Sequence, residues 1–324
     1  MALSDLSVYS EFAYTTATEV LTQQVELFNA ASQGTITLGT GAMLGDYSDK
    51  VMWKKISGLV KRRNAYGTGA QTNKKLQNLT DTMVKVAAGM NTVEINPGQF
   101  AWIKKNPKEA GLVLGKQLAG DMLQDMLNTA ILAGYAAMKQ TSAILYDATG
   151  DTPDTLTHAA LLKASAKFGD RAQDIRAWIS HSLPMFNLWN NNLTNTEKLF
   201  LYDTVAVQRD AFGRVFVITD TPSLIDVVAT PDNYYILGLV QGAINVENNG
   251  DYMANEETKN GDENILRTLQ AEWSYNLGVK GYAWDKTNGG KSPTDAALGT
   301  STNWDKYVTS DKDGPGVILK VDFA

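Results

Sequence analysis

From Leu114 onward apolar side chains recur every four residues, at Leu114, Leu118, Met122, Met126 and Ala130, with Leu123, Leu127 and Ile131 beside them. Lys116, Gln117, Asp121, Gln124, Asp125 and Asn128 fill the opposite side. This is the period of an amphipathic helix. Asn106 as N-cap, Pro107 at N1 and Glu109 at N3 place its start in the layout of a capping box. Continued to about Lys139, the pattern predicts a spine roughly 50 Å long at 1.5 Å per residue. Gly111, Gly115, Gly120 and Gly134 each cost about 1 kcal/mol relative to alanine inside a helix, so they point to close backbone packing.

Before the spine, a Thr-rich helical stretch over about Val8 to Ala31 ends at Gly34 and runs into Gly39-Thr40-Gly41-Ala42-Met43-Leu44-Gly45. Its apolar residues Val20, Val25, Leu27 and Phe28 are too sparse for a core, which predicts an arm that lies against something else. Next, from Val51 to Gly89, cations alternate with single apolar residues. Partial strand patterns at Ile56–Lys61 and Met83–Val86 flank a polar run, which reads as a long, open, hairpin-like loop.

Beyond Gly150-Asp151-Thr152-Pro153 the pattern alternates between helix and strand. A helix is expected over Leu156–Phe168, stopped by Gly169, and a strand over Ile175–Ser180. A short helical segment follows at Met185–Trp189, then a strand at Arg214–Thr219 closed by Asp220-Thr221-Pro222. Further strand patterns fall at Ser223–Val228 and Tyr234–Val246. Glu247–Glu263, with six acids against Lys259, reads as a solvated, mobile loop. Trp273, Tyr275, Leu277, Val279 and Ala283 alternate with polar residues and predict a half-buried strand, and a last strand spans Gly316–Phe323.

At 324 residues, 44% hydrophobic and 20% charged, the chain can bury a sizeable core. The absence of cysteine excludes disulfides, thiolate metal sites and cysteine nucleophiles, and two histidines, His158 and His181, cannot form a multi-histidine metal centre. The start, Met1-Ala2-Leu3-Ser4-Asp5, lacks the pattern of a secretory signal, and no run of 18 apolar residues occurs, so no membrane role is expected. The net charge of -6 is segmental. Residues 1 to 50 are net -5, residues 51 to 110 net +8, and residues 141 to 324 net -9.

Chemical motifs are weak. Gly290-Lys291-Ser292 resembles the end of a phosphate loop, but Asp285 stands where the first glycine is required. His181 beside Ser182 lacks a nucleophile-elbow pattern, and Glu256-Glu257 and Asp262-Glu263 lack EF-hand spacing. No catalytic, cofactor or metal residue is assigned. Trp273, Trp284 and Trp304 invite a glycan-stacking reading, although Trp273 sits on the apolar face of its strand. The candidate contact residues are Lys54, Lys55, Lys61, Arg62, Arg63, Lys74 and Lys75. With Tyr66 alone to stack a base, the expected partner is an acidic patch on a neighbouring copy, candidates being Glu256, Glu257, Asp262 and Glu263.

An arm, a basic extended loop, a long helix, a central α/β region and a returning strand, in that order, resemble the major capsid proteins of tailed bacteriophages. Ile175-Arg176-Ala177-Trp178-Ile179-Ser180-His181-Ser182 and Phe212-Gly213-Arg214-Val215-Phe216-Val217-Ile218-Thr219-Asp220-Thr221-Pro222 are similar to that family's central domain. Leu277-Gly278-Val279-Lys280-Gly281-Tyr282-Ala283-Trp284 and Asn303-Trp304-Asp305-Lys306-Tyr307 are similar to its C-terminal part.

The resemblance implies a mixed α/β (α+β) chain with the Hong Kong 97-type fold. It implies an arm at 1–50, an extended loop at 51–98, a peripheral domain at 99–150 and 236–324, and an axial domain at 151–235. It also implies pentamers and hexamers in an icosahedral shell around double-stranded DNA, assembled in a bacterial cytoplasm and ending in the virion. A scaffolding protein separate from this chain, a portal protein and a decoration protein are the implied partners. An encapsulin-like compartment and a carbohydrate-binding protein or glycosidase are the alternatives.

Overall fold

The computed structural model describes residues 2–43, 45–54, 56, 58–191, 197–202, 205–210, 213–229, 231–260, 263 and 265–322. The chain opens with α1 (Ala2–Ala31) and, after a turn in which Gln33 and Gly34 take positive φ, forms β1 (Ile36–Thr40). β2 (Tyr47–Trp53) and β3 (Asn78–Ile95) make a long-looped hairpin, and α2 (Pro97–Lys105) and α3 (Pro107–Lys139) follow. The middle of the chain contributes β4 (Leu145–Asp147), α4 (His158–Ala166), β5 (Ile175–Ser180), α5 (Ser182–Asn191), β6 (Glu197–Tyr202), β7 (Val205–Arg209), β8 (Val215–Ile218), β9 (Ile225–Asp226) and β10 (Asn233–Val240). It returns through β11 (Ile244–Asn248), β12 (Met253–Lys259), β13 (Leu266–Val279), β14 (Tyr282–Trp284), α6 (Asp295–Leu298), β15 (Trp304–Lys306) and β16 (Gly316–Asp322).

These strands form two mixed sheets, so the expected mixed α/β class holds. In the first, β1, β11, β13, β14 and β15 follow one another, with β12 and β3 also on β13 and β2 on β3. In the second the order is β4-β16-β10-β5-β8-β7-β6, with β9 on β10. Helix α3 touches β11 and β13 of one sheet and β16 of the other, so it ties both into one core. Its C-terminal half is buried all round, including Met126, Leu127, Ala130, Ile131, Ala133, Gly134, Ala137 and Met138. A helix in that position is expected to be apolar on every face.

Several sequence expectations are corrected. The arm lies along α3 of its own chain, with Tyr9, Ala13, Ala17, Leu21 and Phe28 buried. The spacing 9-13-17-21-28 gives α1 one buried stripe, whose middle positions Ala13 and Ala17 a search for large apolar residues overlooks. A Cβ added at Gly111 would lie 2.7 Å from the Tyr9 carbonyl oxygen, and one at Gly115 would lie 2.5 Å from that of Ala13. Both glycines therefore exist to let the two backbones meet.

Other corrections concern boundaries. The first flank of the basic loop is a strand at β2, not at Ile56–Lys61, and Ser57 lies outside the described residues. Glu247–Glu263 is not one solvated loop: Glu247 and Asn248 belong to β11, and β12 pairs with β13 from Met253↔Glu272 to Lys259↔Leu266. Ser223–Val228 reduces to a 3-10 turn and the two-residue β9. Tyr234–Val246 is two strands in different sheets, divided at Gln241-Gly242-Ala243, where Gly242 has φ 64°. The return strand breaks at Lys280-Gly281, where Gly281 has φ 83°, and Phe323 lies outside the described residues. The Asn106 backbone N–H donates to the Trp102 carbonyl at the end of α2, so it is unavailable for a capping box, although its side chain still donates to Glu109.

The α1 clasp has one electrostatic weakness. Glu256 on β12 sits half-buried beneath α1, with Oε1 lacking a hydrogen-bond partner. Burial pushes its carboxyl above the usual range, against a hydrogen bond from Ser10 that acts the other way. The folded chain thus holds this proton more tightly than the unfolded chain does. Its contribution is full at acid pH and falls as pH climbs through the raised folded-state pKa. Glu256→Gln is expected to raise Tm by about 1–2 °C at neutral pH and to lose that advantage in acid. Thermal scans from pH 4 to 8 check this, and an equal shift at every pH would contradict it.

Gly115→Ala separates propensity from packing. Propensity alone predicts a gain of about 1 kcal/mol, whereas the blocked approach to Ala13 predicts a net loss of about 1–3 kcal/mol. A lower midpoint of chemical denaturation is the expected result.

Candidate interaction surface

The basic loop is the least supported part of the described chain. Among the described residues between Trp53 and Asn78 there is no secondary structure beyond one turn, in which the Tyr66 and Gly67 amides donate to Asn64 at 3.0 and 3.2 Å. Val51, Met52, Trp53, Leu59, Val60, Tyr66 and Leu76 are all exposed, Val60 and Tyr66 at 94%. Apolar groups that extend into water on an open hairpin are the mark of a surface that another molecule covers.

The root of the loop is fixed. β2 pairs with β3 from Tyr47↔Val84 to Trp53↔Asn78, and the Lys54 amide donates to the Gln77 carbonyl at 2.8 Å. Asp46 pairs with Lys291 at 3.1 Å, Asp49 with Lys286 at 2.5 Å and Lys50 with Glu247 at 3.8 Å. Hydrogen bonds from Lys286 and Thr82 hold the Asp49 carboxyl below the usual range. These pairs are exposed and contribute little stability singly, but they fix the direction in which the hairpin leaves the sheet.

Past that root the charges have no counterpart. Among the described residues no carboxylate pairs with Lys54, Lys61, Arg62, Arg63, Lys74 or Lys75, and Lys55 lies outside the described residues. Lys54, Lys74 and Lys75 lie together around a shallow concavity with Ile56, Asn73 and Thr309. The acidic residues expected to answer them lie elsewhere. Glu256 is drawn under α1, Glu257 is exposed opposite Thr268, Glu263 is exposed, and Asp262 lies outside the described residues. β3 leads from the loop at Asn78 to Ile95, which pairs with Arg267 beside that acidic strand. At about 3.3 Å per residue the two charge groups sit roughly 50 Å apart along β3, too far for one to neutralise the other within a chain.

The weak chemical motifs resolve into structure. The His181 imidazole Nδ1 accepts the Leu183 amide at 3.2 Å and Nε2 lies 3.5 Å from Asp220, with burial lowering its pKa. Gly290 accepts the Trp284 indole N–H at 3.0 Å and Lys291 is engaged by Asp46, so this stretch is a turn and a tether. Trp284 and Trp304 pack edge to face with centroids 4.9 Å apart and both are buried, as is Trp273, so none of these three indoles offers a platform for a sugar. Among the described residues no group of acids and histidines is placed to hold a metal ion, and no helix is long and apolar enough to cross a membrane.

A family model described as Gp13-like, major capsid protein 13-like, matches residues 5–318. No curated protein matches the chain. Among solved structures, a chain of the cyanophage Pam1 capsid asymmetric unit is similar at 11% identity and a TM-score of 0.49, over 86% of each chain. A chain from the capsid of Ralstonia phage GP4 is similar at 11% identity and a TM-score of 0.48, over 90% of this chain and 87% of that one. One from the head of Helicobacter pylori bacteriophage KHP40 is similar at 9% identity and a TM-score of 0.45, over 90% and 89%. At these values the assignment stands on the family model, which spans nearly the whole chain. An unsupported hairpin on a complete core, matched over that span, is a subunit made to join copies of itself: the chain belongs to the Gp13-like family of major capsid proteins, and its role is structural, in the shell of a virion.

Proposed function

We propose that this chain is the tile of a tailed-bacteriophage head with the Hong Kong 97-type fold, closing an icosahedral shell around double-stranded DNA as pentamers and hexamers. The observation that carries the reading is the hairpin from β2 to β3. The hairpin presents seven large exposed apolar groups, four of them in its loop, and at least six loop cations with no carboxylate partner among the described residues. Within the 51–98 that the sequence resemblance implies for the extended loop, we take the part without strand pairing as 54–77. The first sheet with α1 and α3 serves as the peripheral part, and the second sheet with α4 and α5 as the axial part. We set the division between the two parts at the Gln241–Ala243 turn, a reading supported by β10 running unbroken over Asn233–Val240 within the second sheet.

Apart from this basic loop the chain is acidic, and a shell wall of net negative charge lets packaged DNA slide, since each phosphate neutralised by a cation strengthens adhesion. A scaffolding protein, a portal and a decoration protein complete the proposed assembly in a bacterial cytoplasm.

Removal of the loop tests the reading. Val84 and Val86 are core residues, so a deletion through 89 would unfold the body. Replacing 54–77 by a two-residue turn between Trp53 and Asn78 keeps it intact. The expected product is folded subunits with near-normal Tm that form no closed particles by negative-stain microscopy. Intact shells from this variant would contradict the assignment.

A further inference from the structure

On the crease between the two sheets lies a concavity of about 550 Å³ whose charge runs against its surroundings. Residues 141 to 324 are net -9, yet Arg171, Arg176, Lys280 and Lys312 all line this space, and Asp174 is the one acid among its described lining residues. The cations come from four separate places. Arg171 belongs to the 3-10 turn before β5 and Arg176 to β5 itself. Lys312 belongs to the 3-10 turn before β16, and Lys280 to the bend between β13 and β14.

Glycine backbone forms part of the wall. Gly34 and Gly242 line the space with φ 65° and 64°, and the Gly242 amide donates to the Gly34 carbonyl at 2.7 Å. The Val240 amide donates to the Pro315 carbonyl and the Lys280 amide to the Ala243 carbonyl, each at 2.9 Å, so the turn that carries the chain from one sheet to the other is bonded to both. A Cβ added at Gly242 would meet nothing within 4 Å, which leaves the space beside it open.

Two of the cations are held and two are left over. Arg171 donates to Asp313 at 2.5 Å and to the Lys312 carbonyl at 3.1 Å, and Lys312 pairs with Asp170. Among the described residues no carboxylate pairs with Arg176 or Lys280. Asp174 offsets one of these two charges, so the space keeps a net positive charge. Cations brought together from both sheets repel one another, and a bound anion converts that repulsion into attraction.

We infer that this crease binds a phosphate group, held between Arg176 of the second sheet and Lys280 at the end of β13 in the first, with Arg171 and Lys312 framing it. A tetrahedral dianion presents oxygens in every direction and suits cations that arrive from four elements, whereas a planar carboxylate is satisfied by one guanidinium fork. The concavity is larger than one phosphate, so the group can be free or carried on a sugar–phosphate backbone. Bound there, it bridges the two sheets and stiffens the Gln241–Ala243 turn between them.

Thermal scans of dissociated full-length subunits in sodium phosphate, against sodium chloride of equal ionic strength, test the site. Inorganic phosphate at about 10 mM is expected to raise Tm by about 2 °C. The rise should vanish in Arg176→Gln with Lys280→Gln, two exposed positions whose replacement leaves the core intact, and persist in Lys74→Gln with Lys75→Gln on the loop. A short DNA duplex distinguishes the sources. Weaker duplex binding by the crease variant than by the native chain assigns the phosphate to a nucleic-acid backbone, and equal duplex binding assigns it to free phosphate. No phosphate-specific rise, or an equal rise in the crease variant, means an adventitious ion only and overturns the site, as does loss of the rise in the loop variant alone.

Discussion

The structure depends on how closely two helices approach. α3 touches both sheets and α1, and at Gly111 and Gly115 its backbone comes within side-chain-forbidding distance of α1. Ala13 and Ala17 on α1 face that stripe, so the contact is small residue against small residue along two turns. A helix of 33 residues with four internal glycines is a poor isolated helix. It is stable here because burial on several sides outweighs propensity, through dispersion contacts and removal of apolar area from water. The body of the subunit is accordingly complete within one chain.

The hairpin obeys the opposite logic. β2 and β3 are secured at their root by backbone pairing and three ion pairs, and beyond Trp53 the chain carries apolar and cationic groups into water. Ordering 24 such residues costs conformational entropy that nothing on the same chain offsets. In the proposed shell, contact with another copy offsets it by covering Val60, Tyr66 and Leu76. A rigid base with an unsatisfied tip is a physical way to make folding independent of assembly while making assembly depend on the tip.

Much of this is legible in sequence. The four-residue period from Leu114 fixes α3 to its ends at Pro107 and Lys139, and the apolar runs at Ile175–Ser180 and Arg214–Thr219 mark β5 and β8 of the second sheet. The basic stretch stands out by composition alone. What escapes has physical causes. The α1 clasp relies on Ala13, Ala17 and glycines, which carry little hydrophobic signal. β12 consists of Met253-Ala254-Asn255-Glu256-Glu257-Thr258-Lys259, a polar sequence made a strand by the long partner β13, so tertiary pairing overrides propensity. α2, β6 and β7 are short segments without clear period. The cavity between α3 and β3 draws on residues 86–93, 118–125, 273–275 and 292–295, and only folding brings them together.

Hydrogen exchange on dissociated subunits and on closed shells tests the division between a self-sufficient body and an assembly-dependent loop. The account predicts that α1 and α3 amides are protected in both states. Amides of residues 58–77 should exchange at unprotected rates in free subunits and slow by about a hundredfold or more in shells. Equal, rapid exchange of the loop in both states, or an unprotected α1 in the free subunit, would contradict it.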